Sequence, residues 1–126
     1  MATAPTVLKS GEGLVIGPFI QSVADSVDGL LYMEDPSNAG HLIVAAGAHL
    51  CGVPTRRAKV GEYVSLRVSG LMVATASGVI AVNGPITPDS AGKIKAATIG
   101  SDDVMGYLVG PACTTDGDIV SIVKRA

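Results

Sequence analysis

His41 and His49 are the chain's two imidazoles and stand eight positions apart. A structural or catalytic zinc needs three or four nitrogen, sulfur or carboxylate ligands at close spacing. No carboxylate or cysteine stands at ligand spacing around both histidines, so the pair falls short of a metal site. Asp102-Asp103 and Asp116 with Asp118 are acid clusters beside glycines. Paired carboxylates can do acid–base work or hold a hard cation. In turns, aspartate is also favoured because its side chain bonds the local backbone, and that is the reading adopted for these clusters. Ser65, Ser69, Ser77 and Ser121 lie in no Gly-x-Ser-x-Gly context, so no nucleophile elbow is present. No GxGxxG or GxxxxGK run offers a phosphate cradle. With no nucleophile, base and oxyanion donor assembled, the expectation is a protein that is not an enzyme and carries no cofactor and no metal.

Arg56, Arg57 and Lys59 form the one basic cluster. It suits phosphate, an acidic neighbouring subunit or a solvated loop, and it lacks the aromatic interleaving that base stacking needs. Cys51 and Cys113 fit no CxxC or metal spacing. They read as small buried hydrophobes in a reducing compartment.

These residues must be held by a chain of 126 residues, enough for one domain. A domain near this size buries roughly two thirds of its unfolded surface, so it can build a core without staples. Hydrophobic residues make up 48% of the chain but aromatics only 3%, which leaves mostly alanine and valine, residues suited to closely spaced sheets. So much apolar content in so small a chain also points to subunit contacts. Nine basic residues against eleven acidic ones give a net charge of −2, which argues against nucleic acid as a partner, since that affinity comes largely from neutralising phosphates. No apolar run approaches the ~20 residues that span a bilayer, so no membrane partner is expected. The start, MATAPTVLKS, has no charged-then-apolar leader of a secretory signal. Sixteen glycines and seven prolines imply dense turns and favour a β architecture.

The stretch from Lys59 to Asp89 organises the rest. Val64, Leu66 and Val68 alternate with Ser65 and Arg67, the period of a half-buried strand. Ser69-Gly70 is a turn signal and Leu71 to Thr75 runs back apolar. Ala76-Ser77-Gly78 turns again, Val79 to Val82 reads as a third strand, and Asn83-Gly84-Pro85 closes a meander. Upstream, residues 1–13 read as an arm. Leu14 to Ile20, broken by Gly17-Pro18, reads as an edge strand or a bent one. Leu30 to Met33 is a strand and Glu34 to Gly40 a loop. His41 to Val53 reads as two strands with a turn near Ala46-Gly47, and Pro54 to Ala58 as a loop. Downstream, strands are expected over Lys93 to Thr98, Val104 to Val109 and Ile119 to Val123.

One internal echo stands out. Gly61-Glu62-Tyr63-Val64-Ser65-Leu66 matches Gly117-Asp118-Ile119-Val120-Ser121-Ile122, and each follows an apolar-Gly-apolar step, Cys51-Gly52-Val53 or Met105-Gly106-Tyr107. The gaps between the two glycines are nine and eleven positions. Two similar β-units in a small barrel or sandwich leave this trace. It places Val64, Leu66, Val68, Val120 and Ile122 inward on equivalent strands. The fold class expected is all-β: a small single-domain β-barrel or sandwich of short strands with an extended N-terminal arm.

Residues 52 to 125 resemble the capsid cement, or head decoration, proteins of tailed bacteriophages. The resemblance rests on the Gly61 to Leu66 step, the Gly70-Leu71 return strand and the Ser77-Gly78-Val79-Ile80 turn. It continues through Asp89-Ser90-Ala91-Gly92-Lys93-Ile94, Val104-Met105-Gly106-Tyr107 and the closing Gly117 to Ile122. The chain departs from that pattern at Asn83-Gly84-Pro85, where the family has a Gly-Asp or Gly-Glu step. The resemblance implies an arm over residues 1–13 and a capsid-binding domain over 14–126. It implies a homotrimer that binds the major capsid protein on the outer surface of the virion, after synthesis in the host cytoplasm, and cements neighbouring subunits against internal pressure. Thr3, Pro5, Val7 and Leu8 of the arm, with Arg56, Arg57 and Lys59, are the contact residues this reading implies. The alternative is a biotinyl- or lipoyl-like carrier, or another small β-barrel binding module, because Gly117-Asp118-Ile119-Val120 resembles the Gly-Asp-x-Val strand of that barrel. Lys124, however, is followed by no return strand in the sequence, where a carrier lysine needs a hairpin.

Overall fold

The computed structural model describes residues 13–22, 24–47 and 50–125. Short apolar and β-branched runs, some alternating with polar residues and cut at short intervals by glycine, make ten strands and no helix among the described residues. The first five are β1 (Val15–Gln21), β2 (Tyr32–Glu34), β3 (His41–Val44), β4 (Val53–Pro54) and β5 (Tyr63–Arg67). The second five are β6 (Gly70–Thr75), β7 (Pro85–Pro88), β8 (Ile94–Ala96), β9 (Gly106–Val109) and β10 (Ile119–Lys124). They form two five-stranded sheets, ordered β2-β3-β1-β5-β4 and β6-β10-β9-β7-β8. Only β1 and β3 run parallel; the other ladders are antiparallel. A single bridge, Tyr32 to Gly52 in one sheet and Ala76 to Ile94 in the other, ties the outermost strands without closing a barrel. The all-β fold expected from the sequence is the one observed, in its two-sheet form.

The internal echo is built into the geometry. Val53 pairs with Arg67, and Tyr107 pairs with Val123; superposing the two motifs makes these equivalent positions. Gly52 and Gly106 lie flat against their neighbours in the same way. A Cβ on Gly52 would meet the Arg67 carbonyl oxygen at 2.0 Å, and one on Gly106 would meet that of Val123 at 2.0 Å. Only glycine lets the strands approach that closely. Val64, Leu66, Val68 and Ile122 are buried, and Val120 packs half-buried against the core, so the inward set holds.

Each sheet carries its own apolar cluster. Phe19, Tyr32, Leu42, Val64, Leu66 and Val68 fill the first. Met72, Ile80, Ile86, Ile94, Leu108 and Ile122 anchor the second, which also takes in Leu31, Ala45 and Cys51 from the first half of the chain. Cys51 and Cys113 are free thiols within it.

Three local readings differ from the sequence expectation, and a fourth is narrowed. β1 is the bent one of the two alternatives the sequence left open, lying between β3 and β5 rather than at an edge. Its register slips between Ile16 and Phe19, with a cis Gly17-Pro18 bond inside the slip, so the residue without an N–H sits in an irregularity rather than in the ladder. The organising stretch is not a meander, because β5 and β6 belong to different sheets. Val68 still donates to Leu14 O (2.8 Å), while Gly70 already pairs with Lys124. Val79 to Val82 is not a strand: only Ile80 joins a bridge, to Cys113, and both valines are exposed. Asn83, at φ 55°, and the Gly84 N–H to Ala81 O bond make that segment a turn, and β7 begins at Pro85. Finally, the second strand expected before Val53 is reduced to Val53–Pro54.

Thr3, Pro5, Val7 and Leu8 lie outside the described residues. Gly13, the last residue of the expected arm, packs at φ 74° so closely that a Cβ would overlap the Ser69 carbonyl.

Candidate binding surface

Of the acids read as turn residues, Asp116 and Asp102 bond the backbone. Asp116 accepts from Gly78 N–H (2.9 Å) and Asp102 from Thr98 N–H (2.8 Å). Among the described residues no three His, Cys, Asp or Glu side chains come together to hold a metal. His41 lies on β3, and His49 is outside the described residues.

Arg56, Arg57 and Lys59 stand exposed on the loop between β4 and β5. The loop is held by backbone-directed bonds from the β1–β2 connection: Ala58 donates to Ser26 Oγ (2.8 Å) and Val60 to Asp25 Oδ1 (3.0 Å). Arg57 forks onto both oxygens of Asp28, the shortest contact being 2.6 Å. That guanidinium holds the Asp28 carboxyl below the usual range. Glu62 is also held low, first by the Lys59 backbone N–H and then by Arg56. Two of the three cations are therefore already paired with acids of their own chain. Both pairs are solvent-exposed and contribute little stability.

Lys124 sits at the end of β10 and is 2% exposed. Its Nζ donates to Val68 O (2.8 Å), the residue that the echo makes its counterpart, and to Arg125 O (3.0 Å). Burial pushes the ammonium below the usual lysine range and pushes the nearby Cys51 thiol up. A carrier lysine must meet a ligase and then partner enzymes, and this one is enclosed.

Six exposed apolar side chains gather on the outer face of the second sheet. Leu71 and Val73 from β6, Ile119 and Val123 from β10, and Tyr107 and Val109 from β9 are all exposed. Cross-strand pairing places Val123 between Leu71 and Tyr107, and Ser121 between Val73 and Val109, so the six side chains share one uncharged patch. Isolated surface valines are ordinary, but a contiguous apolar face marks contact. Beside it, between β6 and β4, runs a groove of about 410 Å³ that includes Val53, Pro54, Thr55 and Arg67.

Sequence reasoning singled out the basic loop and passed over this face. The signal was present: Leu71-Met72-Val73-Ala74, Tyr107-Leu108-Val109 and Ile119-Val120-Ser121-Ile122-Val123 are apolar at both parities. A strand with one solvated face alternates instead.

No protein-family model matches the chain, and no curated protein matches it. Among solved structures it is similar to the crystal structure of the head fiber gp8.5 N base in bacteriophage phi29. The TM-score is 0.59 at 17% identity, with 89% of this chain and 95% of that chain covered. At that identity the likeness establishes a shared fold.

Proposed function

We propose that the chain is a structural protein of a tailed-phage virion, bound to the outside of the head, where it engages the major capsid protein and cements neighbouring subunits against internal pressure. The observation that carries this reading is the fold likeness to the phi29 head fiber base, which spans nearly the whole of both chains. The resemblance of residues 52 to 125 to capsid cement proteins points the same way. In this reading the protein acts without catalysis or cofactor and works as a homotrimer. The uncharged outer face of the second sheet is its self-association surface, because charge-free faces meet one another without leaving an ion unpaired. The arm residues Thr3, Pro5, Val7 and Leu8 and the basic loop reach the capsid. Each capsid contact can be weak, since three linked copies gain by effective concentration.

Light scattering combined with co-sedimentation on expanded empty shells, formed by the major capsid protein of the same phage, tests this reading. The expected result is three times the chain mass in solution and saturable co-sedimentation. Val123→Asp, which puts a charge at the middle of the face, should reduce both. A monomer that stays in the supernatant would overturn the proposal.

A further inference from the structure

β6 is an outermost strand, and hydrogen-bond parity decides what it offers on its open side. Ala76 N–H donates to Asp118 O, which makes Ala76 and Asp118 a bonded position of the β6–β10 ladder. Ala74 with Val120 and Met72 with Ile122 follow at steps of two. Leu71, Val73 and Thr75 therefore turn their N–H and C=O groups away from β10. Gly29 O takes the Thr75 N–H (2.8 Å), and the Leu71 carbonyl receives only a long contact (3.4 Å) from Arg67. The Val73 N–H and C=O and the Leu71 N–H face the groove with no partner among the described residues.

Arg67 stands in the same groove. Its Nε is buried without a hydrogen-bond acceptor. None of the groove-lining residues is acidic, and the acids of the adjoining loop, Asp28 and Glu62, are held by Arg57 and Arg56. An exposed ladder edge and a guanidinium whose Nε lacks an acceptor thus lie side by side over an apolar floor that includes Val53 and Pro54.

We propose that this groove binds an extended peptide segment of another protein as an added strand on β6, with an acidic side chain of that segment on Arg67. Main-chain bonds to Leu71 and Val73 supply affinity, as in other strand additions, and the carboxylate supplies specificity through a charge-assisted bond. A second copy of this chain fits the groove less well. β6 carries no acid, so pairing β6 with β6 leaves Arg67 unanswered.

The test uses the full chain free in solution, so it succeeds or fails independently of the virion reading. The ¹⁵N-labelled protein is titrated with acetyl-Thr-Val-Glu-Val-Thr-amide and with the same peptide carrying Gln in place of Glu. The expected result is saturating shifts and slowed amide exchange at Leu71 and Val73, with the Gln peptide about tenfold weaker. Arg67→Gln, which breaks no ion pair among the described residues, should abolish the difference between the peptides. Val73→Pro removes the N–H that points out of the ladder, at the cost of a fixed φ in mid-strand, and should weaken both; if that variant does not fold, Arg67→Gln still decides. Absence of saturation at several millimolar peptide, or equal affinity for the two peptides, would overturn the proposal. So would amide exchange at Leu71 and Val73 that is already slow without peptide, because a second copy would then hold the edge; self-association through the β6–β10–β9 face covers side chains and leaves those two amides exchanging.

Discussion

Alanine at Gly52 and at Gly106 gives a sharp test of the internal repeat. At each site a Cβ would lie 2.0 Å from a backbone carbonyl oxygen, on Arg67 and Val123 respectively. Ordinary van der Waals contact begins near 3.4 Å, so the facing strand must move by more than an ångström. β5 is pinned by β1 and β4, and β10 by β6 and β9, so neither can yield without loosening a ladder. Overpacking of this kind costs about 1–3 kcal/mol. The narrower unfolded ensemble of alanine returns about 0.4–1 kcal/mol. Neither glycine has a positive φ, so the cost is steric. The expected net loss is about 1–2 kcal/mol at each site, read from urea midpoints at unchanged slope. The two losses should be similar and, in the double variant, less than additive, because the Lys124–Val68 bond joins the two displaced segments and can be lost only once. Midpoints that move by less than about 0.5 kcal/mol, or a loss at one site only, would refute the equivalence of the two motifs.

Further outcomes follow from single side chains. Leu66→Ala empties a position 1% exposed in the first cluster and should cost roughly 2–5 kcal/mol by chemical unfolding. Lys124, whose folded pKa is depressed, should make stability fall as pH drops from 10.5 towards that lowered value, since the unfolded chain takes the proton first. Cys51, raised above its usual 9.0, should act oppositely, its contribution fading as pH rises above 9. Lys124→Met should remove the first dependence and Cys51→Ala the second, measured by urea midpoints across pH 8–11. Asp28→Asn should leave the urea midpoint unresolved from wild type, because the Arg57 pair is exposed.

Much of the fold was legible because the sequence repeats its own instructions. The alternation at Val64, Leu66 and Val68 and the echoed Gly-acid-x-Val-Ser-apolar step fixed two equivalent strands and their inward residues. Sheet membership was not legible. Ser69-Gly70 has the composition of a hairpin turn, and what sends β6 into the other sheet is pairing with β10, some fifty residues away in sequence. Val79 to Val82 looked like a strand by β-propensity, but Asn83 and Gly84 bend it before a ladder can form. Nothing in the sequence marks Lys124 as buried, and only the long-range bond to Val68 O shows it to be enclosed. The apolar outer face left a signal in strands apolar at both parities. Arg67 left none, because an arginine on the polar side of an alternating strand is what any solvated face contains.

Electron cryomicroscopy of expanded, DNA-free shells incubated with an excess of the chain tests the central claim most directly. The account predicts extra density at repeated positions on the outer surface, three copies to a site, into which the two sheets fit with the β6–β10–β9 face turned towards the neighbouring copies. Bare shells at saturating protein, or density only on the inner surface, would contradict it.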